Sequence, residues 1–359
     1  MVEVSSAGCT FALKPVLCPR RRAALTNHTY TTLMRRLAAA GFKREIAREV
    51  VLPDWWDDSC ATDPSLLPEL ELRVARFVDA PLTVVRDPRQ PLAAPAYPGA
   101  QLRRVKDIDR DRLTPAIHMG LRVAEATLRS WRGDRPDVRL PPQDAETWRT
   151  SIPRSSAVVR LEDVLNDLWT RGIPVVHVEV MPAPSFQGMV CIIGDRPVVV
   201  LAHDFDEPAR LAFVIAHEVA HVVFGDCAPG QPVVDEEDTI EDDRDTERRA
   251  DLYSIRALAG PTRIPLLEKA DPKVLASQAL AVEKEQGVDA ALVIRRWGKE
   301  TKEHALATRA VQALYRHTRG KRTIREIFDR HIDLDGASES DRALLRCLHG
   351  DPQRHASPG

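Results

Sequence analysis

Three polar side chains interrupt an otherwise apolar run between residues 211 and 225: His217, Glu218 and His221. Every other position from Leu211 to Phe224 is Ala, Val, Leu, Ile or Phe, so the pattern predicts a buried helix. A carboxylate and two imidazoles inside such a helix are costly without a metal ion or hydrogen-bond partners. The histidines are four positions apart and a helix turns every 3.6 residues, so both rings project from one face and can meet at one ion. Glu218 follows the first of them directly. From there it can reach a water at the ion without ligating the ion itself, the placement of a general base.

His-Glu-x-x-His in this form is the pattern of zinc metallopeptidases. The competing reading is a pair of satisfied core histidines, and the apolar surroundings favour the metal. Neutral imidazoles suit zinc, and a catalytic zinc takes three protein ligands and leaves a fourth position to water, so one ligand is still missing. Residues 245 to 259 supply it. Ala250, Tyr253, Ala257 and Leu258 form an apolar stripe at helical spacing, with Glu247 one turn before Ala250 on the same face. Asp251 lies one turn after Glu247, placed to accept the second N–H of a ligating histidine and fix its tautomer. Small Ala250 between them lets two helices approach closely. Cys227 follows Gly225 at the expected helix end and is set aside as a ligand.

The two segments together resemble the ImmA/IrrE metallopeptidases, whose pattern is HExxH followed by E-x-x-A-N-x-F-A and a Leu-Leu-Met-Pro ending. Here His217-Glu218-Val219-Ala220-His221 is followed by Glu247-x-x-Ala250-Asp251-x-Tyr253. Asp251 stands where Asn is usual, Tyr253 for Phe, Ser254 for Ala, and Leu258-Ala259-Gly260-Pro261 for the usual ending. None of these departures removes a ligand. The resemblance spans roughly residues 155 to 320 and implies a cytoplasmic zinc peptidase of narrow specificity. Its expected substrate is a transcriptional repressor in phage immunity or stress response, or a protein beside a toxin–antitoxin pair.

The rest of the chain must position these groups. At 359 residues there is material for two or three domains. A formal charge of -2 conceals an asymmetry: 25 basic and 19 acidic residues up to 156, 8 and 20 from 157 to 260, 18 and 14 beyond. Basic flanks around an acidic centre are weakly consistent with contact to nucleic acid or an acidic partner. Six cysteines without a CxxC pair argue against a disulfide framework or a cysteine-only zinc site. No run reaches a membrane span and the start lacks a signal-peptide pattern, so a cytoplasmic location without membrane contact is expected.

The predicted architecture is α+β: a small zincin-like core with a three-stranded sheet, the HExxH helix and the Glu247 helix, between helical flanks. Its parts are a lead-in at 1–24 with Arg20-Arg21-Arg22, a helical, helix-turn-helix-like region at 25–87, and a linker with one amphipathic helix at 88–152. The metallopeptidase core follows at 153–260, then a helical region at 261–349 and a tail at 350–359. Strands are expected at 173–180, 189–193 and 197–202, the last two joined by a tight hairpin at Gly194-Asp195-Arg196. A sheet edge beside the zinc helix would hold an extended peptide. Residues 235 to 247 carry nine carboxylates, including Asp235, and read as a solvated loop without the glycine of a calcium-binding hand.

The resulting expectation is an endopeptidase with one zinc per chain on His217, His221 and Glu247, Glu218 as base, and Asp251 behind a ligand. His177, His203 and Tyr253 are weighed for oxyanion stabilisation, with a structural role ranked above it for each. A protein substrate is the expected partner, and Arg35, Arg36, Lys43 and Arg44 are a candidate DNA-contacting face. The competing functions are a non-proteolytic, zinc-stabilised DNA-binding regulator and an antitoxin-like scaffold. Retention of Glu218 argues against the regulator, since a pure sensor needs no general base.

Overall fold

A computed structural model describes residues 30–53, 55–57, 59–103, 110–235, 245–260, 265–315 and 319–348. The lead-in with its arginine run, the acidic stretch 236–244, Pro261 and the tail lie outside the described residues. Helix α1 (30–39) and α2 (Arg44–Val51) meet at Gly41, whose φ of +92° only glycine adopts without strain. They are followed by α3 (Leu67–Phe77), the single turn α4 (Leu82–Arg86), β1 (Gln101–Arg103) and α5 (Arg110–Arg129). Next come α6 (Ala145–Ser151), α7 (Leu161–Thr170), β2 (Val175–His177), β3 (Gly188–Ile193), β4 (Arg196–Leu201) and α8 (Pro208–Val223). The chain continues through β5 (Val233–Asp235), α9 (Asp245–Ala259), α10 (Pro272–Gln286), α11 (Ala290–Thr301), α12 (His304–Leu314), α13 (Gly320–His331) and α14 (Glu339–Leu348).

The mixed α and β class is as expected, but the sheet is larger. Among the described residues it has five strands in the order β1-β5-β3-β4-β2, where three were predicted. Strands β3 and β4 form the expected hairpin, with Ile193 opposite Arg196 and Gly194 at positive φ. Strand β2 joins β4 in parallel, while β5 pairs antiparallel with the first half of β3 and parallel with β1. The two additional strands are three residues each, too short for alternation to be read, and β5 runs into the acidic stretch. One consequence corrects an expectation: β5 covers β3 at residues 188–190, so that stretch of β3 is not a free edge for a peptide.

Successive strand residues face opposite sides of a sheet. A Cβ at Gly188 would strike Glu218 of α8, and Met189 lies against Gly120 of α5, so the sheet is held between these two helices. Helix α5, expected as the amphipathic helix of a linker, buries Leu113, Ile117, Met119 and Val123 completely or nearly so. Two of its arginines are paired: Arg122 with Glu125, and Arg129 with Asp341 of α14. A second apolar cluster unites α10, α11 and α12 around Trp297. Arg295 of α11 ties it to Glu207 at the start of α8 through Nε contacts of 3.1 and 3.2 Å.

Arg36 is the exception among the four residues of the candidate DNA-contacting face. Arg35, Lys43 and Arg44 are exposed, whereas Arg36 is buried and donates to the Val84 and Val85 carbonyls at 2.8 and 2.7 Å, clamping α4 to α1. It therefore leaves the candidate DNA face. A charged donor to a buried carbonyl contributes roughly 1.5–3 kcal/mol, so Arg36→Met is expected to lower unfolding free energy by about 2–4 kcal/mol in urea titration. Arg35→Met should change it by less than about 0.5 kcal/mol.

Candidate metal centre

Helix α8 begins at Pro208, which fits the first turn because its missing N–H is one no helix can satisfy. Burial of Leu211, Val214, Ile215, Val219, Val222 and Val223 fixes its rotation. With about 1.5–3 kcal/mol for each large aliphatic side chain removed from water, that face holds the helix against the sheet and leaves His217, Glu218 and His221 inside. The helix stops at a left-handed closure: Gly225 has φ +77°, its N–H reaches the Val222 carbonyl at 3.0 Å, and the Asp226 N–H reaches the His221 carbonyl at 2.7 Å. This closure turns the chain back on itself. It brings the Asp226 carboxylate to 3.1 Å from His221 Nδ1, where it fixes the ring so that Nε2 faces inward.

Helix α9 delivers the acidic partner from the opposite side. Ala250 is fully buried between the helices, and Glu247 and Asp251 both reach the His217 ring. Asp251 lies 3.0 Å from His217 Nδ1, the role the helical phase predicted, while Glu247 Oε2 is 3.3 Å from His217 Nε2 and Oε1 is 3.7 Å from His221 Nε2. The two Nε2 atoms are 3.2 Å apart.

A fourth donor was not expected. Asp235, last residue of β5, places Oδ2 2.9 Å from His217 Nε2 and 3.9 Å from His221 Nε2. Residues opposite one another in an antiparallel pair face the same side, and Asp235 is opposite Gly188, whose Cα faces Glu218. Register thus decides that Asp235 points at the histidines; a slip of one residue would send it to the α5 side. The sequence signal was present but misassigned, because Asp235 opens the nine-carboxylate run read as solvated loop. Asp226 was missed as well, although a carboxylate after a helix-closing glycine is a legible pattern.

These donors could hold a metal ion. Ligand atoms within 4.8 Å of one another come from His217, His221, Asp235 and Glu247, all buried. At zinc–ligand distances of about 2.0–2.1 Å, tetrahedral donors lie about 3.3 Å apart, and the separations here bracket that value. Charge points the same way. Glu218, Asp235 and Glu247 are 0, 5 and 1 % exposed, and each buried anion costs several kcal/mol unless a cation offsets it. Burial alone would depress the His217 pKa, yet the contacts of its ring with Asp235, Asp251 and Glu247 raise it well above the usual imidazole value.

Glu218 is seated against the sheet. A Cβ on Gly188 would come within 2.1 Å of Glu218 Oε1 and 2.8 Å of its carboxyl carbon, so only glycine admits the carboxylate here. Gly188→Ala should therefore displace Glu218 while leaving metal content near that of the parent. If Glu218 is the base, turnover should fall about 10–100-fold, since a misplacement of about 1 Å costs up to ~100-fold.

The remaining candidates are structural. Cys227 donates its thiol toward the Val190 and Gln231 carbonyls, its pKa pushed up to about 12 by burial, and it stands outside the donor group. Tyr253 donates to the Pro142 carbonyl at 2.7 Å and stacks on Trp148. His177 points Nε2 at the His203 carbonyl at 3.0 Å, with burial lowering its pKa to about 4, and His203 stacks on Phe205. Among the described residues no helix is long and apolar enough to cross a membrane. Compared with known proteins, the chain matches no protein-family model and no curated protein.

Proposed function

We propose that the protein is a zinc-dependent endopeptidase of the cytoplasm, cutting a specific protein such as a transcriptional repressor or antitoxin in stress response or phage defence. The observation that carries the reading is Glu218: fully buried beside two histidines on one helix, outside the four-donor group, with Gly188 making room for it. A metal held only for stability has no use for that carboxylate. His217, His221 and Glu247 would hold the metal, and Asp251 and Asp226, each beside Nδ1 of one histidine, would leave Nε2 of each ring to bind it. Bound zinc supplies Lewis-acid polarisation of a scissile carbonyl and a lowered water pKa. Glu218 takes the proton from the attacking water and returns it to the leaving amine. The repressor or antitoxin substrate is supported by the resemblance of the HExxH and Glu-x-x-Ala-Asp segments to ImmA/IrrE peptidases.

The test incubates the full chain, with and without a chelator, against proteins encoded by neighbouring genes. Chelator-sensitive cleavage of one of them is expected. Cleavage that persists after verified metal removal, or no cleavage of any candidate by zinc-loaded protein, would overturn the proposal.

A second reading is favoured by Asp235. Four protein donors make a closed centre of the kind that stabilises a fold, which would suit a non-proteolytic regulator. Its DNA contacts would then come from Arg35, Lys43 and Arg44. Removing those three charges should abolish a steeply salt-dependent DNA affinity in a binding titration; absence of DNA binding by the unaltered chain removes this reading.

A further inference from the structure

A catalytic metal needs three protein ligands and one exchangeable position, and His217, His221 and Glu247 already supply the three. Asp235 is therefore surplus to a permanently open site. Its placement is nonetheless built in. Strand β5 is paired on both sides, with Gly188 of β3 and Arg103 of β1 opposite Asp235, and Gln187 N–H donating to the Asp235 carbonyl at 2.8 Å. Val233 and Val234 before it are fully buried. The carboxylate comes within 2.9 Å of one ligating nitrogen and 3.9 Å of the other, the spacing of a donor sharing the same ion.

We infer that Asp235 is a fourth, displaceable protein ligand that closes the metal centre in the resting protein and must swing aside before substrate can enter. The moving part is the side chain and not the strand, because β5 is locked between two neighbours while a carboxylate needs only rotation about its own bonds. Opening of that position by Asp235 is the event that gives Glu218 a water to deprotonate. The gating role rests on the peptidase reading; the ligand assignment rests on donor geometry alone.

The test uses the full chain loaded with cobalt(II) in place of zinc, its visible absorption reporting coordination, and acetohydroxamate as a small bidentate probe of an open position. Asp235→Asn keeps the shape and strand pairing, Asp235→Ala removes the donor, and circular dichroism checks that each folds. The parent spectrum is expected to resist millimolar acetohydroxamate, while both variants retain cobalt and shift at concentrations at least ~10-fold lower. Equal sensitivity of parent and variants, or loss of cobalt from both variants, would overturn the inference. Because neither readout needs a cleaved substrate, the two ideas fail separately. Asp235-dependent probe binding in a protein that cleaves nothing would sink the peptidase reading and leave the fourth ligand standing.

Discussion

Glu218→Gln is expected to retain about one zinc per chain, keep its fold and lose cleavage of the cognate protein by at least ~100-fold. The magnitude follows from the role. A positioned base contributes about 10²–10⁴-fold, and glutamine fills the same space against Gly188 while being unable to accept a proton at neutral pH. Zinc content and turnover measured on the same preparation separate this from structural damage. Loss of zinc with loss of activity would instead make Glu218 a ligand, and unchanged turnover would remove it from the mechanism.

Glu247→Ala should have the largest effect on metal binding. It removes the anionic donor that spans both histidines, with Oε2 near His217 and Oε1 near His221, and it leaves a cavity at a site 1 % exposed. Most zinc should be lost at concentrations where the parent is saturated. Asp251→Ala takes away only the partner of His217 Nδ1, so affinity should fall about 10–100-fold, and Asp226→Ala should do the same through His221. Competition with a chromophoric chelator orders the variants. Equal affinities for Glu247→Ala and Asp251→Ala, or the reverse order, would contradict the division into ligand and support.

The part of this centre legible in the sequence is the part carried by helices. Periodicity of 3.6 put His217 and His221 on one face, and the phase of Ala250 and Tyr253 selected Glu247 and Asp251 from a crowd of neighbouring acids. What the sequence hid is carried by pairing between distant segments. Asp235 reaches the site only because β5 takes one register on β3, and nothing within Val233-Val234-Asp235 states that register. The same three residues, with β1 paired on their far side, converted a predicted three-stranded sheet with an open edge into a five-stranded one. Composition misled in one further place. Arg36 looked like a basic surface residue although its carbonyl partners lie in a turn 48 and 49 positions away.

The central claim is that His217, His221, Glu247 and Asp235 surround one metal ion. Crystals of the full chain measured at the zinc absorption edge test it most directly. The account predicts one anomalous peak per chain, about 2.0–2.2 Å from Nε2 of His217 and of His221 and from a carboxylate oxygen of Glu247, with Asp235 completing the tetrahedron. A zinc-supplemented crystal with no peak there, and with Asp235 and Glu247 hydrogen-bonded directly to the imidazoles, would contradict it.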